Sequence, residues 1–245
     1  MVVLVTGSSK GIGASTIIEF AKHGYDVVIN YNNSFTDAIK VQDEVKKYNV
    51  KSLVLKCDVT NENDVKEMIN TIIEELGSID VLVNNAAIAI DTTFEDKTVF
   101  NFRKTLDVNL IAPFIVSREV GDIMYKNKKG TIINISSTNA IDTYYIESLD
   151  YDASKAGLIS LTHNLAKHYA PYVRVNCICP GWVNTDMNKN LTIEFIEEEK
   201  KKILLNRFAE PIDIAKSIYN IVDSEYINDA VIRVDGGERP WILKN

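Results

Sequence analysis

Two tyrosine–lysine pairs with identical spacing stand in this chain, Tyr151 with Lys155 in YDASK and Tyr125 with Lys129 in YKNKK. Residues four apart share one face of a helix, so either pair could aim a phenol and an ammonium into a common space. A phenol titrates near 10, too high for acid–base work at neutral pH, but an adjacent cation favours the phenolate and is expected to draw that value down. Spacing does not choose between the pairs; surroundings do. Tyr151 follows the run GTIINIS (130–136), which leads into Ser136-Ser137, and it opens a segment with leucines at 158, 161 and 165. Tyr125 sits in a polar run before a strand, as an exposed helix end would. Successive strand residues face opposite ways, so one of Ser136 and Ser137 is expected to share a cleft with Tyr151. Asn109, in LDVNL, lies inside a long helical pattern. It is either a structural amide or, where that helix is interrupted, a holder of water.

A second constellation opens the chain. Thr6-Gly7-Ser8-Ser9-Lys10-Gly11-Ile12-Gly13 follows the apolar run VVLVT (2–6) and precedes a helical pattern. A strand-to-helix turn offers unpaired N–H groups and the positive end of a helix dipole to an anion, and glycines admit a pyrophosphate where a Cβ would collide. Gly7, Ser9, Lys10, Gly11, Ile12 and Gly13 are therefore candidate dinucleotide contacts; the alternative is a turn that serves only helix–strand packing. A carboxylate at the end of the second strand would bond a free ribose 2′-hydroxyl. That end reads Asn30-Tyr31-Asn32-Asn33, with Asp26 at the opposite end of the run. Lys10 can instead set a cation beside a 2′-phosphate. NADP(H) is expected in preference to NAD(H), with Asn32 among its contacts.

The elements that position these groups are legible as periodicity. Apolar, β-branched runs at 2–6, 26–31, 51–57, 79–84, 130–136, 173–178 and 230–234 read as seven strands, separated by helical patterns such as Val65, Met68, Ile69, Ile72, Ile73 and Leu76. Several runs are apolar at consecutive positions, as in a parallel sheet covered on both faces. The expected fold is α/β, a doubly wound Rossmann-type parallel sheet with helices on both faces, filling 1–245 as a single domain. Apolar residues are 46% and charged residues 25%, which fits a packed globular chain rather than a disordered one. Lysine plus arginine number 27 against 34 acids, a net charge of −7, which disfavours a nucleic-acid partner. The mixed-sign run IEEEKKK (196–202) reads as a solvated helix face. Cys57, Cys177 and Cys179 suggest no disulfide framework, and nothing suggests a metal site. No apolar run approaches the roughly 20 residues that cross a bilayer, and the opening residues lack a signal-peptide pattern, so a cytoplasmic location without a membrane partner is expected.

TGSSKGIG, CDVT, NNAA, the Asn109 segment, ISS, YDASK, PGWVNTDM and VDGG occur here in the order found in the short-chain dehydrogenase/reductase family, which the sequence resembles over almost its whole length. The resemblance implies hydride transfer between a nicotinamide and a carbonyl or alcohol carbon. It implies a center in which Tyr151 exchanges the hydroxyl proton, Ser137 bonds the substrate oxygen, Lys155 bonds the nicotinamide ribose and Asn109 holds a relay water. It implies further cofactor contacts from Asp58 and Val59 to the adenine, from Asn85 and Ala86 near the adenosine ribose, and from Pro180, Gly181, Val183 and Thr185 on the nicotinamide side. Asp58 has a competing reading as the cap of the next helix. Two departures stand out: Ala87 replaces the usual glycine of NNAG, and the 14 residues from Ser137 to Tyr151 carry Tyr144, Tyr145, Glu147 and Asp150, which predicts an unusual substrate pocket.

Within that family the sequence is most similar to the 3-oxoacyl-[acyl-carrier-protein] reductases, notably in LLNRFAEPIDIA (204–215). An acyl thioester substrate follows, and Lys126, Lys128 and Lys129 could meet an acidic carrier. The segment Ala170-Pro171-Tyr172 lacks a basic counterpart, which leaves a sugar, polyol or small ketone as the other substrate class. A non-catalytic NADP(H)-sensing protein is the alternative from a different class; no catalytic residue is missing to support it. The resemblance also implies a homotetramer, with the apolar tail residues Trp241, Ile242 and Leu243 at or beside a contact.

Overall fold

The computed structural model describes residues 1–239. Seven strands form one parallel sheet in the order β3-β2-β1-β4-β5-β6-β7. They are β1 Val2–Val5, β2 Asp26–Tyr31, β3 Ser52–Lys56, β4 Val81–Asn84, β5 Gly130–Ile135, β6 Val173–Pro180 and β7 Val231–Val234. The helices are α1 Gly11–Lys22, α2 Phe35–Val45, α3 Glu62–Leu76, α4 Val99–Leu106, α5 Ala112–Lys126, α6 Leu149–Tyr169, α7 Ile193–Lys202 and α8 Pro211–Asp223. Each expected strand is present, and each strand–helix alternation in the sequence is realised as part of the Rossmann-like architecture.

Alternation of side chains along each strand explains the consecutive apolar runs. Val2 and Leu4 of β1 join Leu82, Ile132, Ile69, Ile72, Val116 and Val120 in one core layer, under α3 and α5. Val3 and Val5 join Val27, Ile29, Ile133, Ile17, Phe20, Ile214 and Ile218 in the other, under α1 and α8. At about 25 cal/mol per Å² of apolar surface, these two layers supply the main stabilisation and leave no strand face for solvent in the sheet centre.

The strand order reverses between β1 and β4, the switch point at which open parallel sheets leave a crevice beyond the carboxyl ends of the strands. Gly7, Asn85, Ser136 and Gly181, which follow β1, β4, β5 and β6, all line a single cleft of about 1030 Å³ there. Among the described residues, no helix is long and apolar enough to cross a membrane. The tail residues Trp241, Ile242 and Leu243 lie outside the described residues.

Candidate active site

The nucleotide end of the cleft is made mainly of backbone. Gly7 and Gly11 have φ of +61 and +55, a region that costs other residues strain, and Gly13 is tucked where a Cβ would lie 2.6 Å from Asn85 Nδ2 and 2.8 Å from the Gly7 carbonyl oxygen. The loop is clamped from below: the Asn30 side chain accepts from Gly7 N–H at 2.9 Å, Ser8 N–H donates to the Asn30 carbonyl at 2.9 Å, and Asn85 Nδ2 donates to the Thr6 carbonyl at 2.9 Å. Helix α1 then begins without a side-chain cap and without an acid in its first turn. Its leading N–H groups stay available to an anion, whereas α3 is capped by Asn61 and α8 by a Glu210–Asp213 capping box. The donor set and the glycine cradle fit a dinucleotide pyrophosphate.

Around this loop, Lys10, Ile12, Asn32, Asp58, Val59, Ala86, Pro180, Val183 and Thr185 line the cleft, while Ser9 lines an adjoining groove. Asp58 does not cap α3, because Asn61 does. It accepts instead from Thr60 N–H at 3.0 Å and the Thr60 hydroxyl at 2.7 Å. Burial pushes its carboxyl up, but those bonds and the Asn32 amide outweigh it and hold it below the usual range. Ala87 lies on the cleft wall with an ordinary negative φ, so its methyl replaces glycine without backbone strain. Asp26 lies at the far end of β2, where it accepts from Lys51 N–H at 2.7 Å. Lys10 is exposed and its Nζ is shared between Asp37 at 3.0 Å and Asp186 at 3.5 Å, a pairing that sequence spacing did not suggest.

The other end is made of side chains. Ser137, Tyr151 and Lys155 converge on the cleft. Ser136 turns away and donates to the Lys155 carbonyl at 2.8 Å, so Ser137 is the serine that faces Tyr151. Lys155 Nζ donates to the Ile135 carbonyl at 2.7 Å and sits 5.5 Å from the center of the Tyr151 ring. The expected depression of the phenol does not occur in this structure. Burial pushes the Tyr151 phenol up to about 12, with the Ser137 hydroxyl pulling against it, and burial pulls Lys155 down to about 8. An ammonium that is itself desolvated and turned to a carbonyl does little for its neighbour. The rival pair is elsewhere: Tyr125 is exposed at the end of α5, against Tyr169 and Tyr172, and Lys129 reaches Asp80 at 3.9 Å.

Asn109 occupies a π turn, Asp107–Ile111, between α4 and α5. Its side chain is fully buried and clamps Ile88, accepting from the Ile88 N–H and donating to the Ile88 carbonyl, both at 2.9 Å. Pro113, four residues on, has no N–H, so the Asn109 carbonyl lacks its α-helical donor. Pro113 was the signal in the sequence for this interruption. Asp150 fixes the start of α6: it is fully buried and takes bonds from Lys97 Nζ and Thr105 Oγ1, each at 2.8 Å. Burial raises that carboxyl, but these partners outweigh it and hold it low.

Sequence reasoning named Tyr145 and Glu147 but missed the aromatic residues that Tyr145 joins on the cleft wall, Trp182 and Phe195. Trp182 stacks on Phe208 at 5.5 Å and meets Tyr145 at 5.8 Å and Phe195 at 5.5 Å edge-on. Tyr145 donates to the buried Glu199 at 3.1 Å, which ties α7 to the loop before α6. Asp91 and Glu147 stand at the mouth, where Thr92 N–H meets the Glu147 carbonyl at 3.3 Å. Of the unusual residues in the Ser137–Tyr151 interval, Tyr145 and Glu147 line the cleft and Tyr144 is exposed.

Comparison with known proteins gives a consistent picture. The profile described as short chain dehydrogenase matches residues 1–194. The chain is 34% identical over 238 residues to the 3-oxoacyl-[acyl-carrier-protein] reductase FabG of Staphylococcus epidermidis, covering 96% of this chain and 97% of that protein. It is 35% identical over 240 residues to the 3-oxoacyl-[acyl-carrier-protein] reductase of Synechocystis sp., covering 96% of each. Among solved structures, levodione reductase superposes with a TM-score of 0.90 at 27% identity, covering 96% of each chain.

Proposed function

The chain belongs to the short-chain dehydrogenase/reductase family and is an oxidoreductase, and from that premise we propose an NADP(H)-dependent enzyme that interconverts a carbonyl and an alcohol, with residues 1–245 acting as one domain. The observation that carries the site assignment is convergence: Ser137, Tyr151 and Lys155 share one cleft with an uncapped glycine loop. The residues lining the glycine loop would hold a nicotinamide dinucleotide, which when bound would provide the hydride chemistry at the substrate carbon. Tyr151 supplies the proton to the substrate oxygen, Ser137 donates a hydrogen bond to that oxygen, and Lys155 turns to the ribose hydroxyls of the cofactor. Asn109 keeps Ile88 in place and offers its carbonyl to a water that restores the proton through Lys155. A phenol held at about 12 stays protonated at neutral pH, which suits reduction. Preference for NADP(H) rests on Lys10 and on the absence of an acid at the end of β2.

The two reductase relatives make a 3-oxoacyl thioester the first substrate class. A second reading, a sugar, polyol or small ketone, is favoured by Asp91 and Glu147 at the mouth, which repel an anionic carrier. Lys126 at the end of α5, and Lys128 and Lys129 in the turn before β5, lie at the amino edge of the sheet and cannot flank this chain's own cleft. NADPH absorbance followed with 3-oxoacyl thioesters beside a panel of sugars, polyols and ketones tests both readings; no turnover of any carbonyl would defeat the enzymatic proposal. We further propose a cytoplasmic homotetramer, in keeping with three buried free thiols. Light scattering of the parent protein and of a truncation after Gly237 tests the assembly, and a monomeric parent would overturn it.

A further inference from the structure

We propose that Asn139 is a specificity-determining residue, whose amide oxygen receives a hydrogen bond from a hydroxyl on the carbon beside the reacting carbonyl, so that α-hydroxy ketones are preferred over plain ketones. The inference rests on the carbonyl-reductase reading and chooses within its second substrate class.

Asn139 lines the cleft two residues beyond Ser137. Its amide orientation is fixed from behind: Nδ2 donates to Asp152 Oδ1 at 2.7 Å, and Asp152 also accepts from Ser148 Oγ at 3.2 Å and Tyr145 N–H at 3.3 Å. Both Asp152 oxygens are taken up as acceptors, Oδ1 by the Asn139 amide and Ser148 and Oδ2 by the Tyr145 N–H, so the NH₂ faces Asp152 and the amide oxygen faces Ser137. That oxygen has one donor, Ser137 Oγ at 3.1 Å, while the Asn139 N–H donates back to Ser137 Oγ at 3.2 Å.

Ser137 has a single proton. When it turns to the oxygen of a substrate, Asn139 Oδ1 loses its donor in a half-buried wall, and an acceptor stranded in this way cancels much of what the new bond gained. A substrate repairs the loss if it brings a donor of its own. The space vacated lies next to the substrate oxygen, within reach of a group on the adjacent carbon, and a vicinal hydroxyl is such a group. A 3-oxoacyl thioester has only CH₂ or CH₃ groups flanking its ketone and offers no donor there. Sites built to pair a substrate hydroxyl discriminate strongly against the analogue without it.

The test compares kcat/KM for matched pairs with NADPH, 3-hydroxybutan-2-one against butan-2-one and 2-hydroxycyclohexanone against cyclohexanone. The parent protein is expected to favour the hydroxylated member at least about tenfold more than Asn139→Ala does, a comparison in which the intrinsic reactivity of each ketone cancels. Asp152→Asn, which removes the group that orients the amide, should lose most of the same preference. The reciprocal double variant N139D/D152N keeps an acceptor facing the cleft and should recover it, which a merely structural role would not require. NADPH affinity within a few-fold of the parent shows that each variant is folded. Equal preference in parent and Asn139→Ala overturns the inference, as does turnover of 3-oxoacyl thioesters without either ketone class. Failure to reduce any carbonyl removes the reading beneath it, and the inference with it.

Discussion

The two ends of the cleft are built from different materials. At the nucleotide end, N–H groups, carbonyls and glycines hold the shape, and the side chains of Asn30 and Asn85, themselves on the cleft wall, are spent on bracing the loop. At the carbonyl end, the surface itself is side chains, and several are desolvated at a cost: Lys155 is pulled down to about 8 and Tyr151 pushed up to about 12. A backbone site is made by the fold and tolerates little change of shape. A side-chain site carries strain that its own substitution can relieve. Each end should therefore fail in its own way.

The sharpest break concerns the carbonyl end. Tyr151→Phe removes one oxygen, and is expected to lower kcat by at least about 10²-fold while NADPH binding stays within a few-fold, as for other positioned acid–base groups. Tyr125→Phe, on the exposed end of α5, should leave kcat unchanged. Equal activities in steady-state assays would show that the two tyrosines had been wrongly told apart.

Lys155→Met separates activity from stability. Turnover should be lost, yet the variant should melt no lower than the parent near pH 7. A lysine whose folded value falls from 10.5 to about 8 is less readily protonated in the folded state. The penalty is full below pH 8, shrinks as pH rises and is gone above 10.5, at a scale of about 3 kcal/mol from roughly 1.4 kcal/mol per pKa unit. The lost bond to the Ile135 carbonyl offsets part of this. Calorimetric melts from pH 7 to 10.5 should show the variant's advantage fading as pH rises; an advantage that grew would reverse the sign of the argument.

At the nucleotide end, Gly13→Ala places a methyl against Asn85 Nδ2 and the backbone of Gly7 and Ser8. Overpacking of this kind costs about 1–3 kcal/mol, so Kd should rise roughly tenfold or more for NADPH and NADH alike, with their ratio unchanged. Titration calorimetry with both cofactors checks it. A changed ratio would mean that the loop reads the 2′ position as well as the pyrophosphate.

The difference in material also decided what the sequence could reveal. The strands were legible because burial on both faces leaves consecutive apolar residues, as in VVLV and GTIINI. The glycine loop was legible because its geometry excludes side chains, so composition and position carry the signal. The pairing of Asn139 with Asp152 was not legible, since it depends on the path of the chain over thirteen residues and on which way an amide turns. The effect of Lys155 on Tyr151 was misjudged for a related reason: spacing places two groups on a helix face, but the depth of burial sets their charges. Pro113 announced the π turn at Asn109, although nothing in its neighbours foretold that the amide would spend itself on Ile88.

The smallest effect lies where the two materials meet. Lys10 is the cation expected to favour a 2′-phosphate, yet its charge is already shared with Asp37 and Asp186. Asp37 holds Lys10 protonated through a direct bond, and Lys40 and Lys10 in turn hold the Asp37 carboxyl below its usual range. All of this takes place in solvent, where screening keeps such pairs weak. Lys10→Ala should therefore erode the preference for NADPH over NADH only several-fold. Asp37→Asn should move it the other way, because it frees the ammonium and removes a charge that repels the phosphate. Opposite displacements of the two Kd ratios at low ionic strength, both shrinking as salt is added, would mark Lys10 as the reader of the 2′ position. An unchanged ratio in Lys10→Ala would leave the preference to the uncharged end of β2, where Asn32 stands in place of an acid.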